Sequence, residues 1–131
     1  MCRKKILYLI PTLAYGGAER QLVELVNNLD RDRFDPIICL IYSDQVVPKG
    51  ISPRDCRLIS LNKPLGKWGN VILLYRLRQV ILSENPAIIH SFLNLANLYA
   101  RLGALSSGHS CVITSIRVNV KGFWKSLDKL I

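Results

Sequence analysis

A doubly wound, all-parallel α/β sheet is the fold class this sequence predicts, and three observations carry the prediction. Apolar runs of strand length recur at 6–10, 37–42, 87–90 and 111–116, each continuous rather than alternating, as strands buried on both faces read. Amphipathic segments with helical spacing lie between them. The first run leads through Pro11-Thr12-Leu13-Ala14-Tyr15 into the pair Gly16-Gly17, just where a helical pattern opens.

Taken in order, the run at 6–10 is the first strand and Ala18, Leu22, Leu25, Val26 and Leu29 mark the apolar face of the first helix. The second strand follows at 37–42. Pro48, Gly50 and Pro53 then argue for a loop over 43–55, and a short strand is expected at 58–61. Val71, Leu74, Leu77 and Ile81 give the second helix, and the run at 87–90 the fourth strand. The third helix carries Leu95, Leu98, Leu102 and Leu105, with Ala96, Ala100 and Gly103 as a small-residue side for close packing and Gly108 as its stop. The run at 111–116 is the fifth strand. Right-handed crossovers turn this alternation into one twisted sheet. The last residues, Phe123-Trp124-Lys125-Ser126-Leu127-Asp128-Lys129-Leu130-Ile131, open a helical pattern with no cap or turn signal, so the expectation is a single domain, 1–131, incomplete at its C-terminus.

At 131 residues and 50% hydrophobic composition the chain can bury one core. No apolar run approaches the ~20 residues of a membrane span, and 6–10 is too short for a signal-peptide core, which makes a cytoplasmic location the expectation. Cys39 and Cys111 stand inside apolar runs, Cys2 and Cys56 in polar flanks, and none has C-x-x-C spacing; buried, reduced thiols are expected rather than a metal site. The net charge is +9, and between 57 and 125 nine Lys or Arg face one acid, Glu84. That half should attract polyanions, including the anionic lipid of a membrane's inner face.

In a doubly wound sheet, ligands bind beyond the carboxyl ends of the strands where strand order reverses. This point should fall between the first and fourth strands, bringing 12–17, 90–94 and 117–119 together. Gly16 and Gly17 allow backbone N–H groups to approach a phosphate or sugar diphosphate at a helix N-terminus, or simply make a tight turn. Neither G-x-G-x-x-G nor a P-loop is present, which removes support for nicotinamide and ATP-hydrolysis readings. His90, ending its strand, is either a hydrogen-bonded core residue or a ligand donor, and no second ligand at metal spacing accompanies it. Asn94 serves equally as N-cap or as contact. Arg117 offers a planar fork for a phosphate or carboxylate at a strand exit. Asp30-Arg31-Asp32 has a metal-binding look, but it belongs to the opposite edge of the sheet and reads as a turn.

Ile6-Leu7-Tyr8-Leu9-Ile10-Pro11 through Gly16-Gly17-Ala18-Glu19-Arg20, Asn85-Pro86-Ala87-Ile88-Ile89-His90-Ser91-Phe92 and Val112-Ile113-Thr114-Ser115-Ile116-Arg117 together resemble the N-terminal domain of family 4 glycosyltransferases. The resemblance implies a Rossmann-like domain, the acceptor-side half of a GT-B architecture, whose missing C-terminal Rossmann-like domain holds the nucleotide-sugar. It implies retaining transfer of a hexose-type sugar to a polysaccharide or lipid-linked acceptor, without metal or other cofactor. Gly16 and Gly17 would reach the donor diphosphate, and His90 matches the family histidine of the fourth strand. The family's histidine at the fifth-strand exit is replaced by Ile116-Arg117, and its paired donor-domain glutamates have no counterpart, since the glutamates here are Glu19, Glu24 and Glu84. The chain alone is therefore expected to lack turnover, and no residue is assigned to catalysis. The competing reading is a non-catalytic Rossmann-like module that binds a phosphorylated ligand or polyanion; nucleic acid is disfavoured because Phe92, Tyr99, Phe123 and Trp124 form no recognisable stacking platform.

Overall fold

The computed structural model describes residues 3–13, 17–42, 56–108 and 111–115. They form β1 (Lys4–Ile10), α1 (Gly17–Asn27), β2 (Phe34–Leu40), β3 (Arg57–Ser60), α2 (Gly69–Glu84), β4 (Ile88–Phe92), α3 (Asn94–Ser107) and β5 (Val112–Ser115). All pairings are parallel and the strand order is β3-β2-β1-β4-β5, the doubly wound arrangement. The expected loop at 43–55 and the final helical pattern lie outside the described residues.

β1 lies at the centre because its sequence suits no other place. Ile6 to Ile10 are buried without interruption, and β1 pairs with β2 from Lys4↔Phe34 to Ile10↔Leu40 and with β4 from Ile6↔Ile88 to Leu9↔Ser91. Its side chains alternate between two cores. Leu7 and Leu9 join Ile37, Cys39 and Ile89 under α2 and α3, whereas Ile6, Tyr8 and Ile10 join Ile38, Leu40 and Phe92 under α1. Pro36 fits in this internal strand because pairing to β3 begins one residue later, at Ile37↔Arg57.

Helix packing departs from the leucine count. α1 buries Leu22, Val23 and Val26 and leaves Leu25 exposed. α2 buries Leu73, Leu77 and Ile81, with Val71 turned to solvent. In α3 the small side faces inward, Ala96, Ala100, Gly103 and Ala104 being buried, while Leu98, Leu102 and Leu105 face out. Alanine and glycine win this contest because they let α3 approach α2 and the sheet closely. A Cβ on Gly103 would lie 2.9 Å from Leu77 Cδ2 and 3.2 Å from Ile81 Cδ1.

The amino edge of the sheet is tied by charge. Glu84, at the end of α2, accepts two hydrogen bonds from the Arg57 guanidinium at 3.0 and 2.7 Å and one from Lys5 Nζ at 3.2 Å. The Arg57 hydrogen bonds, with help from Lys5, hold its carboxyl below the usual carboxylate range against the opposing effect of burial. Asp30 Oδ1 accepts from the backbone N–H of Asp32 at 3.0 Å and Asp30 O from that of Phe34 at 2.9 Å, so the Asp-Arg-Asp segment is the turn into β2, as its place in the sequence implies.

Gly69 of α2 and Gly103 of α3 should respond differently to alanine. At Gly69 the new methyl would collide with the backbone carbonyl oxygen of Pro64, which cannot swing aside, and a loss of about 1–3 kcal/mol is expected. At Gly103 the methyl would press on the buried side chains of Leu77 and Ile81 rather than on backbone, and helix propensity returns about 1 kcal/mol, so a smaller loss than at Gly69 is expected. Urea unfolding of both variants checks this; equal losses would contradict the packing described.

Candidate functional site

Strand order reverses between β1 and β4, and the crevice at their carboxyl ends is where the chain turns into two helices from opposite faces. β1 leads to α1, which starts at Gly17 on one face, and β4 leads to α3, which starts at Asn94 on the other. Two helix N-termini with their unpaired N–H groups thus flank one sheet edge. α1 carries an acid, Glu19, in its first turn; α3 carries none and has no side-chain cap.

His90 sits within β4 rather than at its end, because the strand continues through Ser91 and Phe92. It pairs with Tyr8 of β1, and its ring stacks on Phe92 at 4.5 Å and approaches Tyr8 at 5.6 Å on the α1 side of the sheet. Its Nε2 lies 2.8 Å from Ser115 Oγ at the end of β5. The half-buried imidazole is therefore a partnered residue of the crevice floor. Burial, the largest influence, raises the Tyr8 pKa, with a lesser raising effect from Cys56 and a lowering one from Arg31, so the phenol stays neutral.

Asn94 does not cap α3. The N-cap position belongs to Leu93, at φ 73°, ψ 156°, and Asn94 is the first helical residue, its Oδ1 buried with no hydrogen-bond partner among the described residues. A leucine backbone in this region is strained, by roughly 1–3 kcal/mol. The corner is held in place by Asn97, one turn into α3. Ser91 Oγ donates to Asn97 Oδ1 at 2.6 Å, and Asn97 Nδ2 donates to Ser115 O at 3.2 Å. Ser115 is thus gripped twice, by Asn97 through its carbonyl and by His90 through its hydroxyl.

Of the residues singled out in the sequence, Gly17, His90 and Asn94 come to this edge, and Gly16 and Arg117 lie outside the described residues. Ser91 and Leu93 fall within the 90–94 segment expected at this edge but carry no individual signal there, and Asn97 and Ser115 lie outside the expected segments. A buried Ser–Asn pair six residues apart has no spacing signature, and a positive φ is invisible where the residue is leucine rather than glycine. Cys111 is exposed instead of buried, Cys39 is buried with its thiol pushed up to about 12, and Cys56 is half-buried and likewise raised by burial, so neither of the latter two is a ready thiolate. Among the described residues no cluster of His, Cys, Asp and Glu could hold a metal ion. No family model matches the chain, and a search of curated proteins gives no match.

The strained N-cap is open to a controlled test. Leu93→Gly and Leu93→Ala both remove the side chain beyond Cβ, but only glycine, lacking Cβ, relaxes at φ 73°, so Leu93→Gly should be the more stable by roughly 1 kcal/mol or more. Chemical denaturation of the pair decides it, and alanine equal to or above glycine would remove the strain from this corner.

Proposed function

We propose that this chain forms the acceptor-side Rossmann-like domain of a GT-B glycosyltransferase, whose β1–β4 crevice receives part of a sugar-diphosphate or glycan ligand. The observation that carries the reading is the convergence of two helix N-termini on a single switch-point crevice, floored by His90 and Ser115. Oriented backbone N–H groups at such ends suit phosphate and sugar oxygens, and preorganised donors stabilise a departing diphosphate without reorganising. In this reading Gly17 and the first turn of α3 supply donors from opposite faces of the sheet. Asn97 and His90 act by holding Ser115 and the β4–α3 corner in place. Transfer would need a second, nucleotide-binding wall, since positioning both substrates supplies about 7–11 kcal/mol of the barrier reduction.

The test is a backbone-amide NMR titration of the labelled chain with UDP-glucose, GDP-mannose and a short polysaccharide fragment. Perturbations are expected to gather at Gly17, Asn94, Leu95 and Ser115, and Gly17→Val should abolish them at unchanged melting temperature by filling the approach to the helix end. Perturbations centred on the amino edge around Arg57 and Glu84, or none with any of the three ligands, would refute the proposal.

A further inference from the structure

The two faces of the sheet are dressed differently. On one, α1 turns Arg20, Gln21 and Glu24 outward, an ordinary solvated surface. On the other, α2 and α3 are apolar on their outer sides as well as their inner ones. Opposite its buried stripe, α2 exposes Val71, Tyr75 and Leu82, with Tyr75 61% exposed. α3 likewise exposes Leu98, Leu102 and Leu105, the last 79% exposed. Trp68, at the N-terminus of α2, adds an indole 72% exposed.

These side chains form one layer. Gly103 brings α3 against Leu77 and Ile81 of α2, and Arg78 Nε on α2 donates to Ser106 O on α3 at 3.2 Å. Charge on the layer has one sign. Arg78 and Arg101 lie among the outward apolar residues, Lys67 precedes α2, and α3 contains no acid. The single acid of α2, Glu84, is taken up by Arg57 and Lys5 at the amino edge.

We infer that the outer face of α2 and α3 docks the protein on an anionic lipid bilayer, lying in the interface rather than crossing it. Leucine and valine reach the acyl boundary, Trp68 and Tyr75 sit at headgroup level, and Arg78 and Arg101 meet lipid phosphates while their stems stay apolar. None of the helices among the described residues is long and apolar enough to cross a membrane. A second copy of the chain is a poor occupant: a two-fold contact through this face would set arginines against arginines with no acid to pair them. Nucleic acid has no use for the exposed leucines. The inference stands on this face alone and is independent of the ligand in the crevice.

The experiment uses the full chain with Trp124→Phe, leaving Trp68 as the single tryptophan, and vesicles of phosphatidylcholine with or without phosphatidylglycerol. On anionic vesicles Trp68 emission should move to shorter wavelength and be quenched by brominated acyl chains. Arg78→Gln and Arg101→Gln should each lower partitioning about fivefold, the equivalent of about 1 kcal/mol per cation near the surface. Tyr75→Glu with Leu98→Glu should abolish it without loss of melting temperature. Should that pair unfold, Leu105→Gln, at the most exposed of the large apolar positions on the two helices, takes its place and should weaken partitioning severalfold. Equal partitioning onto neutral vesicles, an unshifted Trp68, or arginine variants that bind like the parent would each overturn the inference. So would a dimer in sedimentation velocity, dispersed by Tyr75→Glu, with no vesicle binding.

Discussion

β1 is hydrogen-bonded to a neighbour along each edge and buried on each face, and the remaining structure follows from having to satisfy both conditions. A strand with five consecutive buried apolar residues needs cover above and below, so helices must occupy both sides of the sheet. Right-handed crossovers then distribute them: the β1–β2 connection carries α1 to one face, and connections that run the other way along the sheet carry α2 and α3 to the opposite one. The reversal of direction at β1 and β4 leaves a crevice between the two connections, at the carboxyl ends of these strands. The candidate site is a consequence of the central strand, not a separate construction.

The central strand positions were legible because burial on both faces leaves an unbroken apolar run: β1 contains the run at 6–10, and β2 overlaps the run at 37–42 but starts at Phe34 and ends at Leu40. The sheet order followed from the crossover rule. Helix orientation was less legible, because α2 and α3 are apolar on two sides and periodicity cannot say which side turns inward. In α3 close packing chose Ala96, Ala100 and Gly103 over Leu98, Leu102 and Leu105. At the site, Gly17, His90 and Asn94 were found because strand exits and helix starts have recognisable residues. The role of His90 shifted because β4 runs two residues beyond it, which places the ring in an aromatic stack. Leu93 and the Ser91–Asn97–Ser115 bonds depend on backbone conformation and long-range contact, and neither leaves a local mark.

Polarity is divided around the molecule with a physical logic. Two acidic groups are taken up at the amino edge and the turn into β2, where Glu84 is ion-paired and the Asp30 carboxylate accepts from the backbone N–H of Asp32. The carboxyl edge presents helix dipoles whose positive ends are only partly answered, by Glu19 on α1 alone. The α2–α3 layer presents cations among apolar side chains. Anionic ligands and anionic surfaces are therefore favoured at two distinct places, one by backbone donors and one by arginine and leucine together.

Native-state hydrogen exchange most directly tests the central place of β1. Amides of Leu7, Tyr8 and Leu9 should exchange only through global unfolding, with Ile37 to Cys39 and Ile89 to His90 sharing the same free energy of opening. Amides of β3 and β5, each paired on one side among the described residues, should open at lower free energy. If β1 instead exchanged through local openings, faster than β3 or β5, the switch-point crevice would have no rigid floor and the central strand could not be what holds the site in place.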